Sequence, residues 1–268
     1  MTSNLDALTG QQQAVWAAGD FNEIGRQNVT MAEALCGTVD PRPGSTVLDV
    51  ACGSGTAALV AARRYCEVHG IDYVPGLVKR ARVRAQASGL DATFEVGDAQ
   101  HLPFPDDHFD VVLSVFGVQF APHQTQAARE LLRVCRPGGI IGLASPIPYG
   151  WTGDYFAVQS TYLPLPPDVP PASRWGTRSG LDELFGEGLT SLTTEVRTNI
   201  GQYRSVDHAV EVFSTYFGPT ITALEKLPAD EGAQLQAEIT DVFDRHNRAT
   251  DGTAAIETHY LETVGECR

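Results

Sequence analysis

The run Val47-Leu48-Asp49-Val50-Ala51-Cys52-Gly53-Ser54-Gly55-Thr56 constrains this chain more than any other. It reads as a short apolar strand carrying one acid, then a glycine turn. Ala57-Ala58-Leu59-Val60-Ala61-Ala62-Arg63-Arg64 follows as a helix. Strand, glycine loop and helix in that order build a ligand cradle, because glycine lets the backbone approach a ligand closely. The spacing Gly53-x-Gly55-x-x-Ala58 also satisfies the dinucleotide-binding fingerprint. The turn alone therefore leaves the ligand open.

The rest of the chain alternates strand and helix. A helix is predicted over Gln11–Val39, with Asp20 or Asn22 as a cap, then strands Thr46–Val50 and Glu67–Asp72. Pro75 opens a helix with Leu77, Val78, Ala81 and Ala85 on its apolar face, and Gly89 ends it. Strands Thr93–Val96, Asp110–Phe116 and Ile140–Ala144 follow, the last two separated by a helix over Gln124–Cys135. After Ser145 the rhythm breaks into a Pro/Gly-rich stretch with Trp151, Tyr155, Phe156, Tyr162 and Trp175. Strands resume near Leu192–Tyr203 and Ala255–Val264, flanking helices that start at Val206 and Asp230. The expected class is α/β: a doubly wound, mostly parallel seven-stranded sheet with a helical cap. The expected division is a helical lid at 1–44, a ligand-binding core at 45–145, a cap insertion at 146–189 and a C-terminal completion of the sheet at 190–268.

The 268 residues include 33 acidic and 19 basic side chains, a net charge of −14. That balance argues against nucleic acid as a partner. Met1-Thr2-Ser3-Asn4-Leu5-Asp6 lacks the basic and apolar regions of a signal peptide, and no apolar run approaches membrane-spanning length. Cys36, Cys52, Cys66, Cys135 and Cys267 are scattered, with no Cys-x-x-Cys pair. A reduced, cytoplasmic protein without a structural zinc site or membrane insertion is expected.

With these elements placed, the chain resembles the class I S-adenosylmethionine-dependent methyltransferases, in the small-molecule branch similar to ubiquinone/menaquinone-type enzymes. Four landmarks carry the resemblance: Val47–Gly55, Gly70-Ile71-Asp72-Tyr73, Gly97–Phe104 followed by Phe109-Asp110, and Leu132–Gly139. They span roughly 45–145, and the resemblance fades in the cap. It implies a Rossmann-like methyltransferase fold, S-adenosylmethionine as cofactor and no metal. It further implies that Ala51, Gly53 and Gly55 lay backbone against the methionine and ribose. Asp72, beside Tyr73, would accept the ribose hydroxyls. Asp98 would accept the adenine amino group, with the Ala99 N–H on a ring nitrogen. Ser114 and Phe116 would line the methionine end. Asp49 inside the cradle suits an ammonium-bearing ligand and would repel a pyrophosphate.

Other readings stand beside these. Asp72 can cap the Pro75 helix, and Asp98 can be an ordinary turn aspartate. The acceptor is expected to be a small apolar or aromatic metabolite, as in secondary metabolism. Its candidate contacts are Trp16, Phe21, Gln119, Trp151, Tyr155 and Trp175, with the aromatic residues of the cap equally able to form a small core. His123, at a helix start, is the candidate general base, or else structural. A nicotinamide-dependent oxidoreductase and a non-catalytic S-adenosylmethionine-binding protein remain as alternatives at this stage.

Overall fold

The computed structural model describes residues 2–166 and 168–268. Its centre is a seven-stranded sheet in the order β3-β2-β1-β4-β5-β7-β6. The strands are β1 (Thr46–Val50), β2 (Glu67–Asp72), β3 (Thr93–Val96), β4 (Phe109–Val115), β5 (Cys135–Pro146), β6 (Leu189–Tyr203) and β7 (Ala254–Cys267). The first five are parallel, and β7 runs antiparallel between β5 and β6. The parallel strands read as apolar runs because helices cover both of their faces. On one face α3 (Val29–Val39), α4 (Thr56–Ala62) and α5 (Pro75–Ser88) pack over Val47, Val68, Phe94 and Leu113. On the other, α6 (Gln124–Val134) and α8 (Arg178–Phe185) cover Leu48, Val112, Ile141 and Leu143.

A third apolar cluster lies beyond the sheet. It joins α7 (Gly150–Tyr162) to α9 (Val206–Tyr216) and α11 (Ala229–His246) through Trp151, Tyr155, Phe213 and Phe243. Helix α10 (Gly218–Lys226) adds Ala223. Two of the loops at this end of the sheet, β5–β6 and β6–β7, therefore hold the helical cap.

The helical stretch predicted over Gln11–Val39 is three helices: α1 (Thr2–Ala17), α2 (Phe21–Gly25) and α3. The break falls at Gly19, where a Cβ would stand 2.3 Å from the Tyr216 carbonyl oxygen, so the chain turns there to pass α9. Asp20 then caps α2 by accepting from the Asn22 N–H at 3.1 Å. Strand β5 begins five residues before its predicted start, because Cys135 already pairs with Phe109 and Arg136-Pro137-Gly138-Gly139, with Gly138 left-handed (φ 73°), is absorbed as a register shift against β4.

Candidate active site

Two adjoining cavities open at the C-terminal ends of the parallel strands, the usual ligand position in a doubly wound sheet. The first spans about 910 Å³ including its open mouth and is lined by Asp49, Ala51, Gly53, Asp72, Tyr73, Asp98, Ala99 and Phe116 among others. These come from the ends of β1, β2 and β4 and from the loop after β3. Ala51 and Phe116 hold φ of 54° and 49°, a left-handed backbone that disfavours side chains and that surrounding structure must enforce. Gly53 is left-handed too (φ 55°), and a Cβ there would meet nothing nearer than Phe21 Cδ1 at 3.7 Å. It would project into the cavity. Gly55 (φ 81°) has another reason to be glycine: a Cβ would stand 2.9 Å from the Phe94 ring packed beneath the loop. Gly55 does not line the cavity.

Three carboxylates face this space, and each also holds the backbone. Asp49 Oδ2 accepts the Ala58 N–H at 2.8 Å in the first turn of α4. Burial pushes the Asp49 carboxyl up to about 7, against the lowering effect of that N–H and with the help of neighbouring Asp72. Asp72 accepts the Gly53 N–H on Oδ2 at 2.9 Å and the Val74 N–H on Oδ1 at 2.8 Å. Burial raises its pKa as well. The Val74 bond is an Asx turn just before Pro75; Val74, not Asp72, is the N-cap of α5. Asp98 accepts the Gln100 N–H at 2.9 Å, and the Gln100 side-chain amide reaches both Asp98 oxygens.

Gln100, one position past the expected pair Asp98-Ala99, ties the region together. It is buried, its amide nitrogen also donates to Thr9 Oγ1 at 3.1 Å, and its oxygen accepts the His123 N–H at 2.8 Å. Helix α1 crosses the cavity mouth through this bond, through Gln13 Nε2 to the Tyr73 carbonyl, and through Trp16, whose ring meets Phe21, Phe120 and Phe217. Nothing in the local pattern of Gln13 or Gln100 distinguished them. Their partners lie 60 and 91 positions away.

The remaining predicted residues divide. Ser114 is fully buried behind the wall, donating to the Val50 carbonyl at 2.7 Å and accepting the Val118 N–H at 2.9 Å. Gln119 is likewise buried and bonded to Gly117, Ala144 and Ser145. It shapes the turn behind Phe116 and lines neither cavity. His123 sits at the start of α6, outside both. Trp175 packs edge-on against Phe185 in the core under α6 and α8, away from both.

The second cavity spans about 700 Å³ including its open mouth. Phe21, Asn28, Phe116 and Phe120 belong to both walls. Beyond them it is lined by Trp151 and Tyr155, stacked at 5.3 Å, and by Phe156, Tyr203, Phe213 and Phe217. Among its described lining residues there is no Lys, Arg, His, Asp or Glu. Burial pushes the Tyr203 phenol up to about 12 and raises that of Tyr155, whose hydroxyl is bonded to Thr220 Oγ1 at 2.6 Å. Both stay neutral.

The first cavity is thus a cradle with three carboxylates and, among its described lining residues, no lysine or arginine. A pyrophosphate finds no cation there, whereas a phosphate-free nucleoside with an ammonium group finds carboxylate partners. Known proteins agree. A methyltransferase domain model matches residues 47–139. An uncharacterized protein of Mycobacterium tuberculosis is 36% identical over 266 residues, covering 97% of this chain and 96% of its own. The 2-methyl-6-phytyl-1,4-hydroquinone methyltransferase of a Synechocystis species is 46% identical over 103 residues, 38% of this chain and 32% of that one. The solved YcgJ protein of Bacillus subtilis superposes with a TM-score of 0.63 at 23% identity, covering 89% of this chain and 99% of that one, a likeness of fold. Cradle, sheet order and relatives converge: the chain belongs to the class I S-adenosylmethionine-dependent methyltransferases.

Proposed function

We propose that the enzyme methylates a small, uncharged, apolar or aromatic metabolite of secondary metabolism, held in the second cavity, in the reduced cytoplasm. The observation that carries this reading is an aromatic cavity that shares a wall with the cofactor cradle and has no charged side chain among its described lining residues. The Synechocystis relative, named for a hydroquinone, supports it.

When bound, S-adenosylmethionine supplies an electrophilic methyl group on sulfur. In this reading Asp49 faces its ammonium, Asp72 its ribose hydroxyls and Asp98 the adenine amino group. Ala99 donates its N–H to the adenine ring, Ala51, Gly53 and Gly55 shape the backbone, Tyr73 flanks the ribose, and Phe116 stands between the two cavities. Ser114 and Gln119 fix the wall rather than touch ligand. Trp16 and Phe21 close the site from the lid, and Trp151 and Tyr155 face the acceptor. With no His, Lys, Arg, Asp or Glu among the described lining residues of the second cavity, the protein contributes alignment and exclusion of water. An acceptor oxygen must then arrive ionised or pass its proton onward, and an electron-rich carbon must lose its proton after attack.

Calorimetric titration with S-adenosylhomocysteine and with NADH, followed by an acceptor screen with labelled methyl groups, tests the reading. Binding of the former alone, with transfer to neutral phenols or hydroquinones and none to amines or phosphorylated compounds, is expected. NADH binding revives the oxidoreductase reading. Cofactor binding without transfer to any acceptor leaves a binding protein. Transfer to a charged acceptor overturns the assignment of the second cavity.

A further inference from the structure

The two edges of the sheet are unlike. Strand β3 is four residues long, whereas β6 runs for fifteen, Leu189–Tyr203, with no proline or lysine. Those two residues are the common guards of an open edge. In the antiparallel β6–β7 ladder alternate residues turn their backbone groups outward. The even-numbered ones do so here. The Gln27 side chain bonds both the N–H and the carbonyl of Gln202, and Arg178 donates to the Leu192 carbonyl at 3.2 Å. Between these two closures Thr194, Val196, Thr198 and Ile200 form an open edge. Val196 and Ile200 are also exposed apolar side chains, at 46% and 44%.

The side chains along this edge are self-complementary about Val196. An antiparallel second copy centred there sets Thr194 opposite Thr198 of the other copy and Val196 opposite Val196. It also sets Glu195 opposite Arg197, twice. Glu195 is 65% exposed and shares Arg197 with the buried Glu262, so one cation serves two carboxylates within a single chain. Moving the centre by one residue would set Arg197 against Arg197, and like charges directly opposite are unfavourable. Charge thus selects one register.

We infer that β6 pairs with β6 of a second copy of this chain, antiparallel and centred on Val196, joining two seven-stranded sheets into one. The pairing uses backbone groups of Thr194, Val196 and Thr198 that face away from β7, with the Glu195–Arg197 pairs setting register.

Sedimentation velocity of the full chain, followed at about 1 to 100 µM, should show a dimer. Val196→Pro removes one outward N–H without touching the β7 ladder and should leave a folded monomer whose thermal midpoint no longer depends on protein concentration. Glu195→Arg, an exposed change, should weaken the dimer roughly tenfold. Val196→Cys reads the register: facing residues of a hydrogen-bonded pair lie about 5.5 Å apart at Cα, within disulfide reach. Copper-phenanthroline should cross-link it to a covalent dimer. Thr190→Cys should not cross-link, since the two copies of that position would stand roughly 40 Å apart at about 3.3 Å per residue. A wild-type monomer throughout the concentration range overturns the proposal. A dimer that survives Val196→Pro, or one in which Val196→Cys fails to cross-link, does so equally.

Discussion

The two cavities share a wall and little else. The cofactor cradle is built by backbone: left-handed turns at Ala51, Gly53 and Phe116, and carboxylates that each hold an N–H. The second cavity is built by side chains, mostly rings, drawn from α2, α3, α7, α9 and the ends of β6 and β7. A cofactor of fixed structure can be met by fixed dipoles at strand ends. On the proposed reading an apolar acceptor is met by shape, and shape comes from whichever segments happen to be near. Polar preorganisation and apolar enclosure thus sit side by side, with different sensitivities to mutation and pH.

The contrast can be broken most severely at Gly53. Gly53→Val should abolish cofactor binding, with a loss of at least about 100-fold, because its side chain enters the cradle. The left-handed backbone costs the fold only about 1–2 kcal/mol. Calorimetry with S-adenosylhomocysteine, paired with a thermal melt, checks both parts. Asp72→Ala comes next. Each charge-assisted bond to ribose is worth about 1.5–3 kcal/mol, or roughly one to two decades in Kd, and the Gly53 latch is lost as well. Unchanged affinity in a folded variant would reject the ribose role.

The third effect is a pH dependence carried by the cradle alone. Burial lifts the Asp49 carboxyl from 3.8 to about 7. The empty native protein therefore keeps a proton that the unfolded chain has lost, and this contribution to stability fades as pH rises from about 4 through about 7. A cofactor ammonium wants the ionised form. Affinity should then fall as pH drops below about 7, by up to about tenfold per unit, and Asp49→Asn should flatten the curve. A wild-type affinity constant from pH 6 to 8 would separate Asp49 from the ammonium.

The fourth sharpens the division between the cavities. Trp151→Ala should raise the acceptor KM or lower kcat several-fold, with cofactor binding changed by less than about 1 kcal/mol. Loss of cofactor binding instead would merge the two sites. The smallest effect is expected at His123, whose replacement by alanine should leave kcat and its pH profile within about twofold, since a base outside hydrogen-bond reach moves no proton. A titration step that disappears with His123 would restore it to the chemistry.

Much of the cradle was legible because it is local. β1, β2 and β3 match their predicted bounds, since glycines, prolines and charges punctuate buried apolar runs. Asp49, Asp72 and Asp98 sit at strand ends or in the turns between elements, where the chain itself places them. The lid broke differently from its reading because Gly19 answers to Tyr216, nearly 200 residues away. Trp175 was grouped with the other aromatics of the cap, but the following Gly176 is pressed against the end of β5, where a Cβ would stand 1.9 Å from the Pro146 carbonyl oxygen. That contact turns the indole inward, into the core. Gln100 was invisible because a lone glutamine carries no pattern until its three partners are in place.

The four residues common to both cavities, Phe21, Asn28, Phe116 and Phe120, have a consequence for descent. Most of the second cavity lies on connecting segments that can be lengthened, shortened or replaced without disturbing the parallel sheet. If the second cavity holds the acceptor, as proposed, substitutions in the cap would change the acceptor without disturbing the cradle. Coupling between the two sites would then concentrate in the shared wall, where a substitution fitted to a new acceptor must still tolerate the cofactor. A designer wishing to graft a foreign cap onto this core should keep those four positions first.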